Sequence, residues 1–285
     1  MPPRSDEHSV SGAVCLPDHP AKRWANRVLE RVHLRKPLGR VHVTLRHWGL
    51  APWQPLVPAQ RFSACVDNAL AELRRTDPSH QFGDYLEFGV SRGTSMAAVY
   101  HVLQKNDFAS ARLIGFDSFA GMPPESASEG WEPGAYASPI GLTRRHLRSK
   151  GVDLGKVTLV KGWFSDTLNE TTRSGLQLGK ASLIMVDCDI YTASKEALAF
   201  SAQHIHDRAI MIFDDWGWRE QDGQPGQKEA FAEFLTEHPD IKADPLPSYL
   251  EQARVFMITR WANALKLIGV VVASTFGLEF SLEAV

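Results

Sequence analysis

At 285 residues the chain exceeds an average domain without requiring two, and one α/β domain with added segments is the simplest arrangement. Its 44% hydrophobic and 22% charged residues are enough for a sizeable core, which excludes a disordered chain, and a formal net charge of −2 excludes a global field that gathers nucleic acid or an anionic membrane. The three cysteines, Cys15, Cys65 and Cys188, are too few and too far apart for a disulfide framework or a zinc cluster and suit a reducing cytosol, so a cytoplasmic location is expected.

The pattern divides the chain into an N-terminal extension (1–60), a main domain (61–260) and an apolar C-terminal tail (261–285). Met1 to Gly12 are polar and lack the apolar core of a signal peptide. Eight Lys/Arg against the single acid Glu30 between Lys22 and Arg46 read as a solvated helix face, with Trp24, Leu29 and Val32 packed inward. Prolines around Trp48–Trp53 mark a linker. In the tail, Leu265 to Phe280 is short for a membrane span and contains Lys266 and Glu279, so a packed or interface element is expected rather than a membrane anchor.

Phe62, Val66, Ala69, Leu70 and Leu73 recur at helical spacing and predict an amphipathic helix over 61–75. Strands are predicted at Tyr85–Val90, Arg112–Phe116, Val157–Val160, Leu183–Val186, Ala209–Phe213 and Ala253–Thr259. Helices are predicted at Thr94–Gln104, Gly141–Lys150, Thr192–His206 and Gln227–Glu237. Such alternation implies a doubly wound, mostly parallel, Rossmann-like sheet with helices on both faces. The long connection 118–140, rich in Gly, Pro and Ser yet carrying Trp131 and Tyr136, reads as a lid or as a surface loop with its own small apolar cluster.

Four constellations carry chemistry. The first is the turn Glu87-Phe88-Gly89-Val90-Ser91-Arg92-Gly93-Thr94-Ser95 between a strand and a helix, where glycines let the backbone approach a ligand and helix amides face a polar or anionic group. Its glycines, at 89 and 93 only, stand behind an acid with Ser91 between them. That is the E-x-G-x-x-x-G form, which suits the methionine end of S-adenosylmethionine better than a pyrophosphate. In the second, Asp117 ends the next strand, placed to accept ribose hydroxyls. In the third, Gly162, Trp163 and Phe164 follow strand three and offer an adenine slot, or else core residues under a loop. In the fourth, Asp187-Cys188-Asp189 and Asp214-Asp215 end two strands expected to be neighbours. Carboxylates converging there would repel one another, and a hard divalent cation such as Mg²⁺ relieves this.

These strings, with Phe116-Asp117-Ser118-Phe119-Ala120-Gly121-Met122-Pro123, Lys161-Gly162-Trp163-Phe164-Ser165-Asp166-Thr167-Leu168 and Asp187-Cys188-Asp189-Ile190-Tyr191, resemble the macrocin O-methyltransferase family over about residues 60–260. The resemblance implies a class I methyltransferase fold and transfer of a methyl group to a hydroxyl of a sugar or glycosylated natural product. The cofactors implied are S-adenosyl-L-methionine and Mg²⁺ or another hard divalent cation. Glu87, Gly89 and Gly93 would hold the methionine end, Asp117 the ribose, and Gly162, Trp163 and Phe164 the adenine border; Ser91, Ser95 and Ser118 complete the cofactor-binding candidates. Asp187, Asp214 and Asp215 would bind the metal. The catalytic candidates are Asp187, a ligand that doubles as base, and Asp189. Cys188 and Thr192-Ala193-Ser194 depart from the family's Gly and Glu-Ser-Thr, and Trp216 stands where a Tyr is common, so the acceptor is less defined than the cofactor. A nicotinamide oxidoreductase and a non-catalytic S-adenosylmethionine-binding protein are the alternatives. The former lacks a third glycine and a Tyr-x-x-x-Lys. The partner expected is a small hydroxylated, sugar-like acceptor, with no nucleic acid; homo-oligomerisation is left open.

Overall fold

The computed structural model describes residues 57–217 and 223–261. The N-terminal arm, the basic stretch, the Trp48–Trp53 linker and the apolar tail after Trp261 lie outside the described residues.

Seven strands form one sheet: β1 (Asp84–Phe88), β2 (Leu113–Asp117), β3 (Val157–Lys161), β4 (Ala181–Val186), β5 (Ile205–Phe213), β6 (Ile241–Leu246) and β7 (Arg254–Arg260). Their order is β3-β2-β1-β4-β5-β7-β6. β1 to β5 run parallel, and β7 is antiparallel to both β5 and β6. The chain winds outward from β1 through β2 to β3, then returns to β4 on the other side. This reversal opens a crevice at the carboxyl ends of β1 and β4, where folds of this kind bind ligands.

Period-two alternation sends side chains to two cores. On one face Tyr85, Leu113, Met185 and Ile212 pack under α1 (Ala59–Thr76), α2 (Thr94–Lys105) and α3 (Ile140–Ser149). On the other, Phe88, Phe116, Val186 and Phe213 pack under α6 (Tyr191–Ser201) and α7 (Gln227–Glu237). Two short helices, α4 (Phe164–Thr167) and α5 (Glu170–Leu176), bridge β3 to β4. β1 and β4 are buried along their whole length, as the central strands of a sheet covered on both faces must be. Among the described residues no helix is long and apolar enough to cross a membrane.

Several elements differ from the sequence pattern, among them the short helices α4 and α5, which no predicted helix covers. β6, which contains Pro245, was not predicted. It is an edge strand, where a missing amide hydrogen costs no ladder bond. The predicted helix Thr192–His206 stops at Ser201, and a 3₁₀ turn (Ala202–His204) leads into β5, which begins at Ile205. The connection 118–140 contains an unpredicted 3₁₀ helix, Pro124–Glu129, and, as its surface-loop reading expected, apolar residues that cluster: its Met122 and Trp131 pack with Ile190 beyond β4.

Candidate active site and metal centre

The carboxyl ends of the strands carry the site because the ladder continues one residue beyond them. The amide of Gly89 donates to Phe116 O (2.9 Å), that of Asp187 to Phe88 O (2.8 Å) and that of Asp214 to Val186 O (3.2 Å). Gly89 sits at φ +92°, and a Cβ there would lie 1.7 Å from Asp187 O, so only glycine lets the ends of β1 and β4 close up. Gly93, at φ +79°, turns the chain into α2.

Glu87 is fully buried. Its carboxyl accepts the Tyr85 hydroxyl (2.8 Å) and, in a short bond, the Ser95 hydroxyl. Burial pushes it up to about 8, against the two hydroxyl donors, and nearby Asp117 adds to the rise. Asp117 accepts three backbone amides, those of Val90 (2.8 Å), Ser91 (2.7 Å) and Phe119 (2.5 Å). A carboxylate has about four lone-pair positions, which leaves about one for a further donor. Burial raises Asp117 and these amides oppose the rise.

The other cofactor candidates divide. Trp163 is half-buried at the mouth of α4, whereas Phe164 turns its edge to Phe88 (6.0 Å) and joins the core. Gly162 donates to Asp117 O (3.0 Å), tying this segment to β2. Ser118 is used in its own turn, donating to Gly121 O (2.8 Å) and accepting from the Ala120 amide (3.1 Å). Ser91 adopts φ 45°, with its carbonyl bonded by Thr143.

Asp187, Asp214 and Asp215 each place a carboxylate oxygen within 4.8 Å of the others. Burial raises all three; repulsion from the neighbouring acids adds to the rise at Asp187 and Asp215, while the Tyr249 hydroxyl opposes it at Asp214. Burial, with Asp214 beside it, pushes Asp189 up to about 7. Among the described residues no Lys or Arg pairs with any of the four. Asp215 Oδ2 is buried without a hydrogen-bond partner. Oxygen donors, unbalanced negative charge and an orphaned buried carboxylate oxygen fit a hard divalent cation.

Several residues of the site escape sequence reasoning. Gln227, fully buried at the start of α7, accepts the Asp215 amide through Oε1 (3.0 Å) and donates from Nε2 to Val186 O (3.1 Å), clamping β5 to β4. The Tyr249 hydroxyl donates to Asp214 Oδ1. Tyr136 lies near the acids, and burial with Asp189, Asp215 and Asp187 holds its phenol above the usual range. Glu129 accepts the amides of Tyr191 (2.7 Å) and Thr192 (3.4 Å), capping α6 from the 118–140 connection. Gln227, Tyr249 and Glu129 act across long sequence separations and carry no local signal. Tyr136, as an aromatic in a polar loop, did carry one. Four of the six non-glycine residues with positive φ among the described residues lie on segments around this site: Ser91, Phe119, Tyr136 and Asp189. Such strain gathers where a site over-determines the backbone.

Comparisons with known proteins bear on the family and the fold. The family model described as Macrocin-O-methyltransferase (TylF) matches residues 59–244. A relative from Streptomyces olivaceus, 8-demethyl-8-(2,3-dimethoxy-alpha-L-rhamnosyl)-tetracenomycin-C 4'-O-methyltransferase, is 29% identical over 143 residues, covering 47% of this chain and 53% of the relative. The chain thus spans about half the length of that curated relative. The fold is similar to the O-methyltransferase NovP (TM-score 0.57, 19% identity, 76% of this chain and 88% of that one). It is also similar to the calicheamicin methyltransferase CalS11 (TM-score 0.56, 19% identity, 92% and 100%). These matches are methyltransferases, not nicotinamide oxidoreductases.

Proposed function

The chain belongs to the macrocin O-methyltransferase family, and from that premise we propose that it transfers a methyl group from S-adenosylmethionine to a hydroxyl of a sugar carried on a natural product, assisted by a divalent cation. The observation that carries this reading is the group Asp187, Asp214 and Asp215, converging beside the Gly89–Gly93 turn with no basic partner among the described residues.

The cofactor supplies an electrophilic methyl group on a sulfonium. Glu87, Gly89, Gly93 and Ser95 would receive its methionine end, and Asp117 a ribose hydroxyl at the position its three amide bonds leave free. Trp163, half-buried beside β2, would border the base. Asp187, Asp214 and Asp215 would hold a cation, which would supply Lewis acidity toward an acceptor hydroxyl. Asp187 takes the proton from that hydroxyl, with Asp189 second in line. Orientation of acceptor oxygen against methyl carbon supplies much of the acceleration. The sugar-linked acceptor is supported by the name of the Streptomyces relative. We place the protein in a reducing cytosol, supported by the free thiols of Cys65 and Cys188.

The test is transfer of labelled methyl from S-adenosylmethionine to a panel of glycosides, with EDTA and with restored Mg²⁺. Activity should vanish in EDTA and return with the metal. Asp187→Asn should be more damaging than Asp214→Asn at saturating Mg²⁺, because an amide oxygen still coordinates but does not take a proton. Full turnover in metal-free solution would sink the metal assistance and leave the methyl transfer standing.

A further inference from the structure

Of the three carboxylates that converge at the rim, Asp214 alone is held by a side-chain hydroxyl among the described residues. Tyr249, in the turn between β6 and β7, is 7% exposed, and its hydroxyl donates to Asp214 Oδ1 in a short bond. The ring is held in turn: Phe62 of α1 meets it edge-on at 5.0 Å and 90°. The turn itself is tied to the same helix, because the Cys65 thiol reaches Pro247 O at 3.3 Å.

A carboxylate beside Asp187 and Asp215 is pushed by repulsion to rotate away from its neighbours. A donor fixed on one oxygen opposes that rotation and leaves the other oxygen for a ligand. We propose that Tyr249 is a positioning residue of the cation site: its phenol holds Asp214 in the ligating orientation, and Phe62 on α1 holds the phenol. This rests on the metal reading given above. Partners that orient a ligating carboxylate are commonly worth about 10- to 100-fold in metal affinity.

The experiment is Mn²⁺ binding, followed by electron paramagnetic resonance, to the full chain as wild type, Tyr249→Phe, Asp214→Asn and the double variant. Thermal unfolding and S-adenosylmethionine affinity are measured alongside. Tyr249→Phe removes only the hydroxyl and keeps the ring on Phe62. It should weaken Mn²⁺ about 10-fold, with the melting temperature and the cofactor affinity unchanged. In the Asp214→Asn background the same substitution should weaken Mn²⁺ less than about twofold, because a residue acting through Asp214 has nothing further to act on. Wild-type affinity in Tyr249→Phe, additive losses in the double variant, or a Tyr249→Phe protein that no longer folds would each overturn the positioning role while leaving the metal reading intact. A wild type that does not bind Mn²⁺ would overturn the metal reading itself, and this inference with it.

Discussion

β1 carries two buried carboxylates three residues apart, and the sheet treats them in opposite ways. Asp84, at the foot, receives Arg112 through two bonds (2.9 and 2.6 Å) and the Gly179 amide (3.2 Å). Glu87, near the rim, receives only hydroxyls, and the four aspartates that follow β4 and β5 have no basic partner among the described residues. At the foot the protein supplies its own positive charge, so the acid is structural. At the rim, among the described residues, five acids have no basic partner, which leaves room for positive charge from outside. Both ligands proposed here, a divalent cation and a cofactor bearing a sulfonium and an ammonium, bring it. A buried acid is therefore informative according to what neutralises it, not by its burial.

The largest effect expected from this contrast is on stability against pH. Glu87 at about 8 and Asp189 at about 7 lie above the ordinary carboxylate range. The folded ligand-free protein therefore binds more protons than the unfolded chain between about pH 4 and 8. Stability should fall as pH rises through that window, by on the order of a few kcal/mol. Saturating Mg²⁺ at pH 8 should restore part of the loss. Urea unfolding of metal-free protein from pH 5 to 8 checks this, and a stability that rises with pH would break the comparison.

Next come two isosteric substitutions on the one strand. Asp84→Asn removes the charge that Arg112 was placed to meet; because Arg112 is 45% exposed, solvent screens part of the loss, and about 1–3 kcal/mol is expected. Glu87→Gln should change stability at pH 7 by less than about 1 kcal/mol, since its carboxyl is already largely protonated there. It should instead weaken S-adenosylmethionine binding by about 10-fold or more, because the cofactor's ammonium would favour the ionised carboxylate and glutamine offers no charge to meet it. Calorimetric titration and urea unfolding of both variants decide the matter. Equal destabilisation by the two would mean that Glu87 is as structural as Asp84.

The smallest effect concerns the connection 118–140, which lies over the rim and not over the foot. Glu129 fixes it by capping α6, and Glu129→Gln should cost about 0.5–1 kcal/mol and speed hydrogen exchange across the segment. Adding cofactor and acceptor should slow exchange in the same segment if it serves as a lid. Strong protection without ligands, unchanged on binding, would make it a structural cover packed by Met122 and Trp131.

Read alone, the sequence was enough to recover the doubly wound architecture and the acidic rim. Alternation at period two and recurrence at helical spacing are properties of neighbouring residues, and each acid pair directly follows the apolar run that becomes its strand. Gly89 and Gly93 were legible for the same reason, since a turn is a local demand on φ. What surrounds those acids came only with the tertiary structure. Asp214 meets a phenol 35 residues away, and Gln227 joins the Asp215 amide to Val186 O, 41 residues from it in the chain. Asp117 spends three lone-pair positions on amides, two of them in a loop 26 and 27 residues before it. Hydrogen-bond partners chosen across the fold leave no periodicity in the chain, because what brings them together is the packing of strands and helices, not the spacing of residues.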